Sequence, residues 1–278
     1  MASDLRDWIG REAEVEDVLD LRTAHLMQSM MRPAPPLAEG DALPPLWCWL
    51  YFHAPAPLDA LGRDGHAAKG GFLPPVPLPR RMWAGGRFEF PGTLRIGRPA
   101  TRRSRILDVA EKTGRSGALC FVTVEHAYAQ GGVTAWREEH DIVYREDPGP
   151  GSAPPPSPPA PGGATDRETV TPSPVMLFRY SALTFNGHRI HYDRDYAREV
   201  EGYRDLVFHG PLTATLLADL ADRRTPGRLA RFDYRARAPL FDTAPFGIAL
   251  DRGATTRAWA ATPDGRLAMT AEAQFERD

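Results

Sequence analysis

The chain predicts an α+β fold built from two similar units, each a set of antiparallel strands with a helix. Three observations lead there. Residues 148–163 contain only Pro, Gly, Ser and Ala, and with the polar stretch up to 174 they split the 278 residues into two parts of ordinary domain size. Strand-like runs separated by turn signals lie on both sides of that stretch. Each side also carries one helical pattern, so a duplicated unit accounts for the order of elements.

In the first part, residues 3–31 are predicted helical, with Trp8, Ile9, Val15, Val18, Leu19 and Leu26 largely on one face. Residues 33–85 are rich in Pro and Gly, and Trp47, Trp49, Tyr51 and Phe52 mark a strand leading into loops. Phe88 and Phe90 alternate with polar residues, and strands follow at Ile106–Ala110, Leu119–Val124 and Val133–Tyr144. Gly114 to Gly117 and Gly131-Gly132 are the turns between them. The stretch 148–174 can form neither helix nor core, so it is a linker or exposed loop between units at 1–147 and 175–278. In the second part, Leu177–Tyr180 is predicted as a short strand. Pro211 opens a helix with Leu212, Leu216, Leu217 and Leu220 on one stripe. Strands follow at Leu229–Ala236, Phe246–Asp251, Thr256–Ala261 and Leu267–Phe275.

Net charge is −2, so nothing recommends nucleic acid as a partner. Lys occurs only at 69 and 112, and the other basic residues are Arg, each able to hold a phosphate or carboxylate. Cys48 and Cys120 stand apart in apolar surroundings, as buried free thiols rather than a disulfide or a metal site. With no signal peptide and no long apolar run, the expectation is a cytoplasmic protein with no membrane partner.

The chemistry concentrates between Tyr180 and Pro211. Asn186, His188 and His191 form a polar cluster after an apolar segment, and His209-Gly210-Pro211 stands at a predicted helix start. His191 titrates near neutrality when unperturbed and is suited to take and return a proton. The Gly210 amide, at a helix N-terminus, is suited to meet a developing oxyanion. Asp193 is a plausible N-cap for a short helix over 193–200. His209 either orders the Gly210 turn or touches substrate, and His188 reads most simply as part of a solvated turn. Arg235 and Arg237 alternate on one strand, where they either make surface salt bridges or bind a substrate anion. His25, His53, His66, His126 and His140 are scattered and read as structural or surface residues.

The segment resembles the MaoC-like type 2 enoyl-thioester hydratases and dehydratases, whose signature sets an Asp five residues before a His. His191 falls on that His, whereas the Asp position holds Asn186. The longer string, from Ser181 through His191-Tyr-Asp and Glu201-Gly-Tyr to His209-Gly-Pro-Leu, resembles the branch with mitochondrial-type 3-hydroxyacyl-thioester dehydratases and mesaconyl-CoA or itaconyl-CoA hydratases. The resemblance implies a double hotdog, with the N-terminal unit as a non-catalytic tunnel wall and the C-terminal unit catalytic. It implies a hydro-lyase on an acyl-CoA substrate, foremost mesaconyl-C4-CoA or itaconyl-CoA giving citramalyl-CoA, with no metal or other cofactor. Its implied catalytic residues are His191, Asn186 and Gly210. His209, Arg235 and Arg237 are the substrate-binding candidates, and a homodimer is the candidate assembly. A 3-hydroxyacyl-thioester dehydratase for fatty-acid-type chains and a silent acyl-thioester binding protein stay open as alternatives.

Overall fold

The computed structural model describes residues 4–31, 34–114, 117–147, 157–253 and 255–276. A single antiparallel sheet of ten strands runs through both halves. The first half contributes β1 (Glu12–Val18), β2 (Arg80–Glu89), β3 (Pro99–Gly114), β4 (Gly117–Gln130) and β5 (Val133–Arg145), with helix α1 (Leu21–Gln28). The second half contributes β6 (Asp166–Val170), β7 (Arg228–Ala236), β8 (Phe246–Arg252), β9 (Thr256–Ala261) and β10 (Leu267–Glu276), with helices α2 (Pro174–Leu183) and α3 (Gly210–Arg224). The strand order is β1-β3-β4-β5-β2-β7-β10-β9-β8-β6, so β2 and β7 join the halves.

That seam has a local cause. Phe88 stands opposite Phe232, and both are fully buried. At Gly85 a Cβ would come 2.5 Å from the Tyr234 carbonyl oxygen, so only glycine lets the strands close at that point. Helix α3 lies across β7 to β10 and buries Leu212, Ala214, Leu217, Ala218, Leu220 and Ala221. Its alanines allow the close approach, and its leucines fill the space beneath the sheet. Gly131 and Gly132, at φ 58° and 80°, close the β4–β5 hairpin as the paired glycines predict.

Several elements differ from expectation. Residues 12–18 are strand rather than helix, because Glu12 and Glu14 stand opposite Arg105 and Arg103 of β3, both arginines reach Glu12, and these cross-strand charge contacts outweigh a loose helical stripe. Helix α1 starts only at Leu21, where the Asp20 side chain caps the Thr23 amide. The first half therefore has only this eight-residue α-helix among its described residues, without a counterpart of α3. Trp47–Leu50 is a 3-10 helix buried in the core rather than a strand. Leu177–Tyr180 is helical, inside α2, where Ser173 accepts the Met176 N–H and Pro174 fits the first turn. Within the Pro/Gly-rich stretch, Asp166–Val170 pairs with β8, so the linker expectation fails there, and Pro159 bridges to Arg266. Residues 148–156 lie outside the described residues, as do Arg115 and Ser116 of the expected β3–β4 turn. No helix among the described residues is long and apolar enough to cross a membrane.

Candidate active site

The polar string occupies the connection between α2 and α3. Phe185, at φ 47°, reverses the chain after α2. The Asn186 side-chain oxygen accepts the His188 backbone N–H at 3.0 Å, and the Tyr192 hydroxyl donates to the Gly187 carbonyl at 3.0 Å. Asp193 caps the next turn through the Tyr196 N–H and pairs with Arg189. These local bonds fix the direction in which each histidine leaves the loop.

His191 is buried, and its Nδ1–H donates to the Val207 carbonyl at 2.7 Å. The lone pair is then on Nε2. Burial, with the neighbouring His209 and His188, holds its pKa well below the ordinary value, so the ring is neutral and able to accept a proton. The His209 ring stacks on it at 3.6 Å between centroids, and His209 shares a 2.9 Å hydrogen bond with Ser181 through Nε2. Burial brings the His209 pKa down to about 3. His209 makes no side-chain cap at α3, so its geometry is that of a plate behind His191. Pro211 has no N–H, which leaves the Gly210 and Leu212 amides as first-turn donors without intrahelical acceptors.

His188 departs from the solvated-turn reading. It is buried, and its Nε2–H donates to Glu201 Oε1 at 3.1 Å. Glu201 also receives Arg80 Nε at 3.3 Å and the Tyr196 hydroxyl at 3.3 Å. Burial alone would raise the Glu201 pKa, but His188 and Arg80 outweigh it and hold the carboxylate ionised. His188 stands edge-on to His191 at 5.5 Å.

A histidine from the other half completes the group. His66, expected as scattered, lies 4.3 Å from the His188 ring, and its Nδ1–H donates to Asp64 at 2.8 Å. Burial, together with the Arg81 and His188 charges, brings the His66 pKa down to about 4. The docking is backbone on backbone. Gly65, at φ +87°, faces Gly187 so closely that neither position has room for a Cβ, and the Arg189 N–H donates to the Asp64 carbonyl at 2.9 Å. His25 and His53 bond to backbone carbonyls, as structural residues do. Asp64, His66 and His188 offer ligand atoms within 4.8 Å of one another, but Asp64 and His66 already satisfy each other and the Arg81 cation opposes a metal ion.

The first half also supplies Trp83. A Cβ on Gly210 would come 2.7 Å from its ring, so glycine is required there to admit Trp83 rather than simply to open the backbone to substrate. Trp83 in turn stacks on Tyr234 at 4.6 Å. Arg235 and Arg237 do not join the site. Both are exposed, and Arg235 alternates with buried Tyr234, which puts it on the outer face with the Arg231–Asp233 pair.

Asn186 is expected to matter less than His191. Asn186→Ala loses the bond to the His188 N–H, about 1–3 kcal/mol, and slows turnover accordingly. Asn186→Asp keeps an acceptor for that N–H and should retain activity. Steady-state rates of the two variants, beside circular dichroism, decide this. A folded but inactive Asp variant would show that the Asn186 N–H₂ makes an essential donor contact.

Known proteins match this chain along its length. It is 46% identical over 276 residues to the mesaconyl-C(4)-CoA hydratase of Chloroflexus aurantiacus, covering 99% of each chain. A MaoC-like dehydratase from Phytophthora capsici superposes with a TM-score of 0.71 at 14% identity, covering 97% of each chain. A Mycobacterium tuberculosis protein with a double hotdog fold gives a TM-score of 0.60 at 14% identity, over 95% of each. The fold is thus a double hotdog. Residues 46–242 match the family of hydroxyacyl-thioester dehydratases type 2, and with a full-length relative at 46% identity this chain belongs to that family of hydro-lyases.

Proposed function

We propose that the protein adds water to mesaconyl-C4-CoA to give citramalyl-CoA. The observation that carries this is the 46% identity over 99% of both chains to a hydratase of that substrate. The site geometry agrees with the chemistry. His191 Nε2, with Nδ1–H held by Val207, takes a proton from water. The oxygen bonds to the carbon β to the thioester, the double-bond electrons shift toward the thioester carbonyl, and the Gly210 amide stabilises the enolate oxygen. The imidazolium then returns the proton to the α carbon, and no atom is left over. His209 fixes the plane of the His191 ring, and Asn186 orders the His188 turn. The acyl-CoA is the only reactant besides water, and the proposed setting is the cytoplasm.

Loss of enoyl absorbance is the test, measured for mesaconyl-C4-CoA, itaconyl-CoA, crotonyl-CoA and octenoyl-CoA. The expected result is a kcat/KM for mesaconyl-C4-CoA at least about tenfold above the others, a selectivity worth roughly 1.4 kcal/mol. Preference for octenoyl-CoA would move the protein to fatty-acid-type dehydration, and inactivity on all four would make it a thioester-binding protein.

A further inference from the structure

Glu138, on β5, is 1% exposed, and the hydration chemistry makes no use of it. The strand register sets it opposite Phe88 of β2, which itself stands opposite Phe232 of β7, so the carboxylate lies beside the seam between the halves. Its Oε1 accepts the Trp49 indole N–H at 3.0 Å, and its Oε2 accepts the Tyr128 hydroxyl at 2.6 Å. Burial pushes the Glu138 pKa up to about 7, although these two bonds and the Arg102 charge favour the carboxylate. Burying an ionisable group is costly, and a well-packed apolar side chain commonly serves stability as well or better. Its place among aromatic rings therefore points to a use other than stability.

Trp49 carries the bond from Glu138 toward the site. Its ring meets Trp83 edge-on at 5.8 Å between centroids, and Tyr234 edge-on at 6.0 Å. Trp83 is thus held by two aromatic neighbours, Trp49 at a right angle and Tyr234 stacked at 4.6 Å. Trp83 in turn presses on Gly210, where a Cβ would come 2.7 Å from its ring. An indole has a single N–H, and tying it to a buried oxygen fixes how the ring is turned. Glu138, Trp49, Trp83 and Gly210 form a packed path in which every step is a direct contact. Such interiors transmit displacement because they hold few voids.

We propose that Glu138 is a positioning residue that sets Trp83 against Gly210 through Trp49, and so holds the first turn of α3 where the enolate oxygen develops. The inference rests on the reading of Gly210 as the oxyanion donor in thioester hydration. Glu138 touches no substrate and moves no proton. An oxyanion donor acts on charge that develops in the transition state, so its exact place matters to kcat more than to binding. A loosened Trp83 lets the first turn of α3 shift, and a misplacement of about 1 Å can cost about 100-fold. Glu138, Trp49 and Trp83 all come from the first half, which on this reading sets the geometry of the donor as well as enclosing the site.

The test compares hydration kinetics and melting temperatures of wild type, Glu138→Gln, Glu138→Leu, Trp49→Phe and the Glu138→Leu/Trp49→Phe double variant. The substrate is whichever of the four enoyl thioesters wild type hydrates fastest. Glu138→Leu should lower kcat about 10- to 100-fold and change KM less than about threefold. Glu138→Gln still offers an oxygen to the Trp49 N–H, and the Tyr128 hydroxyl can accept from its amide, so kcat should stay within about threefold of wild type. The double variant removes donor and acceptor together, so its melting temperature should recover relative to Glu138→Leu while kcat stays low. A kcat that recovers along with the melting temperature would make Glu138 a structural group only and overturn the inference. A loss confined to KM, or a Glu138→Gln protein as slow as Glu138→Leu, overturns it as well. If Glu138→Leu does not fold, Trp49→Phe decides, because it keeps a ring and loses the N–H, and a wild-type kcat there refutes the path through Trp49. Preference for another thioester corrects the proposed substrate and leaves the positioning role standing, whereas a wild type inactive on all four refutes both.

Discussion

Replacing His191 by alanine should lower kcat/KM about 100- to 10,000-fold, the usual worth of a general acid–base group. The loss is expected to be large because Asn186 has no ionisable proton and its side-chain oxygen is already bonded to the His188 N–H. Nothing else in the α2–α3 connection has the His191 combination of a tethered Nδ1–H and an available Nε2. His191→Gln serves as the structural control, since it approximates the side-chain volume without the basic ring. Rates for both variants, with melting temperatures, separate chemistry from folding. His188 offers the competing assignment, because the ionised Glu201 orients it as a carboxylate orients a catalytic imidazole. A His191→Ala protein that kept more than about a tenth of the activity, beside an inactive but folded His188→Ala protein, would transfer the base to His188.

How much of this was legible in the sequence depended on how local each signal was. Strand β10 falls at Leu267–Glu276 and α3 opens at Gly210-Pro211, because alternation and a proline at the first turn are read within one element. The short apolar run of α2 reads as a strand, although Ser173-Pro174 before it is a helix start. Strand β1 reads as a helix because its specificity lies in arginines some ninety positions away, Arg103 and Arg105, both of which reach Glu12 across the strands. The string from Tyr180 to Pro211 was readable for the same reason that α3 was, since loop, histidines and helix start are contiguous. His66 and Trp83 were not. They reach the site through a β2–β7 seam and a Gly65–Gly187 contact across more than a hundred residues, and no periodicity encodes such a pairing. The nearest clue is Asp64-Gly-His66 itself, a glycine turn flanked by an acid and a base inside a Pro/Gly-rich segment.

Removing residues 1–147 should abolish activity completely and leave the remainder aggregation-prone. The isolated second half would lose the partner of β7 from Gly85 to Glu89 and leave β7, an inner strand of the ten-stranded sheet, as an exposed edge. Phe232, buried opposite Phe88, and Tyr234, stacked on Trp83, would face water. Taking a large aromatic out of a packed core costs about 3–5 kcal/mol, and a domain has only about 5–15 kcal/mol of net stability, so two such losses already consume much of it. Chemistry would fail as well, because Asp64, His66 and Trp83 leave with residues 1–147. Expression of residues 148–278 alone, followed by light scattering and hydration assays, reads both effects. Co-expression with residues 1–147 as a separate chain should rebuild the β2–β7 seam and restore part of the rate, because the contacts across it are non-covalent. A soluble, fully active fragment 148–278 would remove the first half from the site and refute its role as more than a wall.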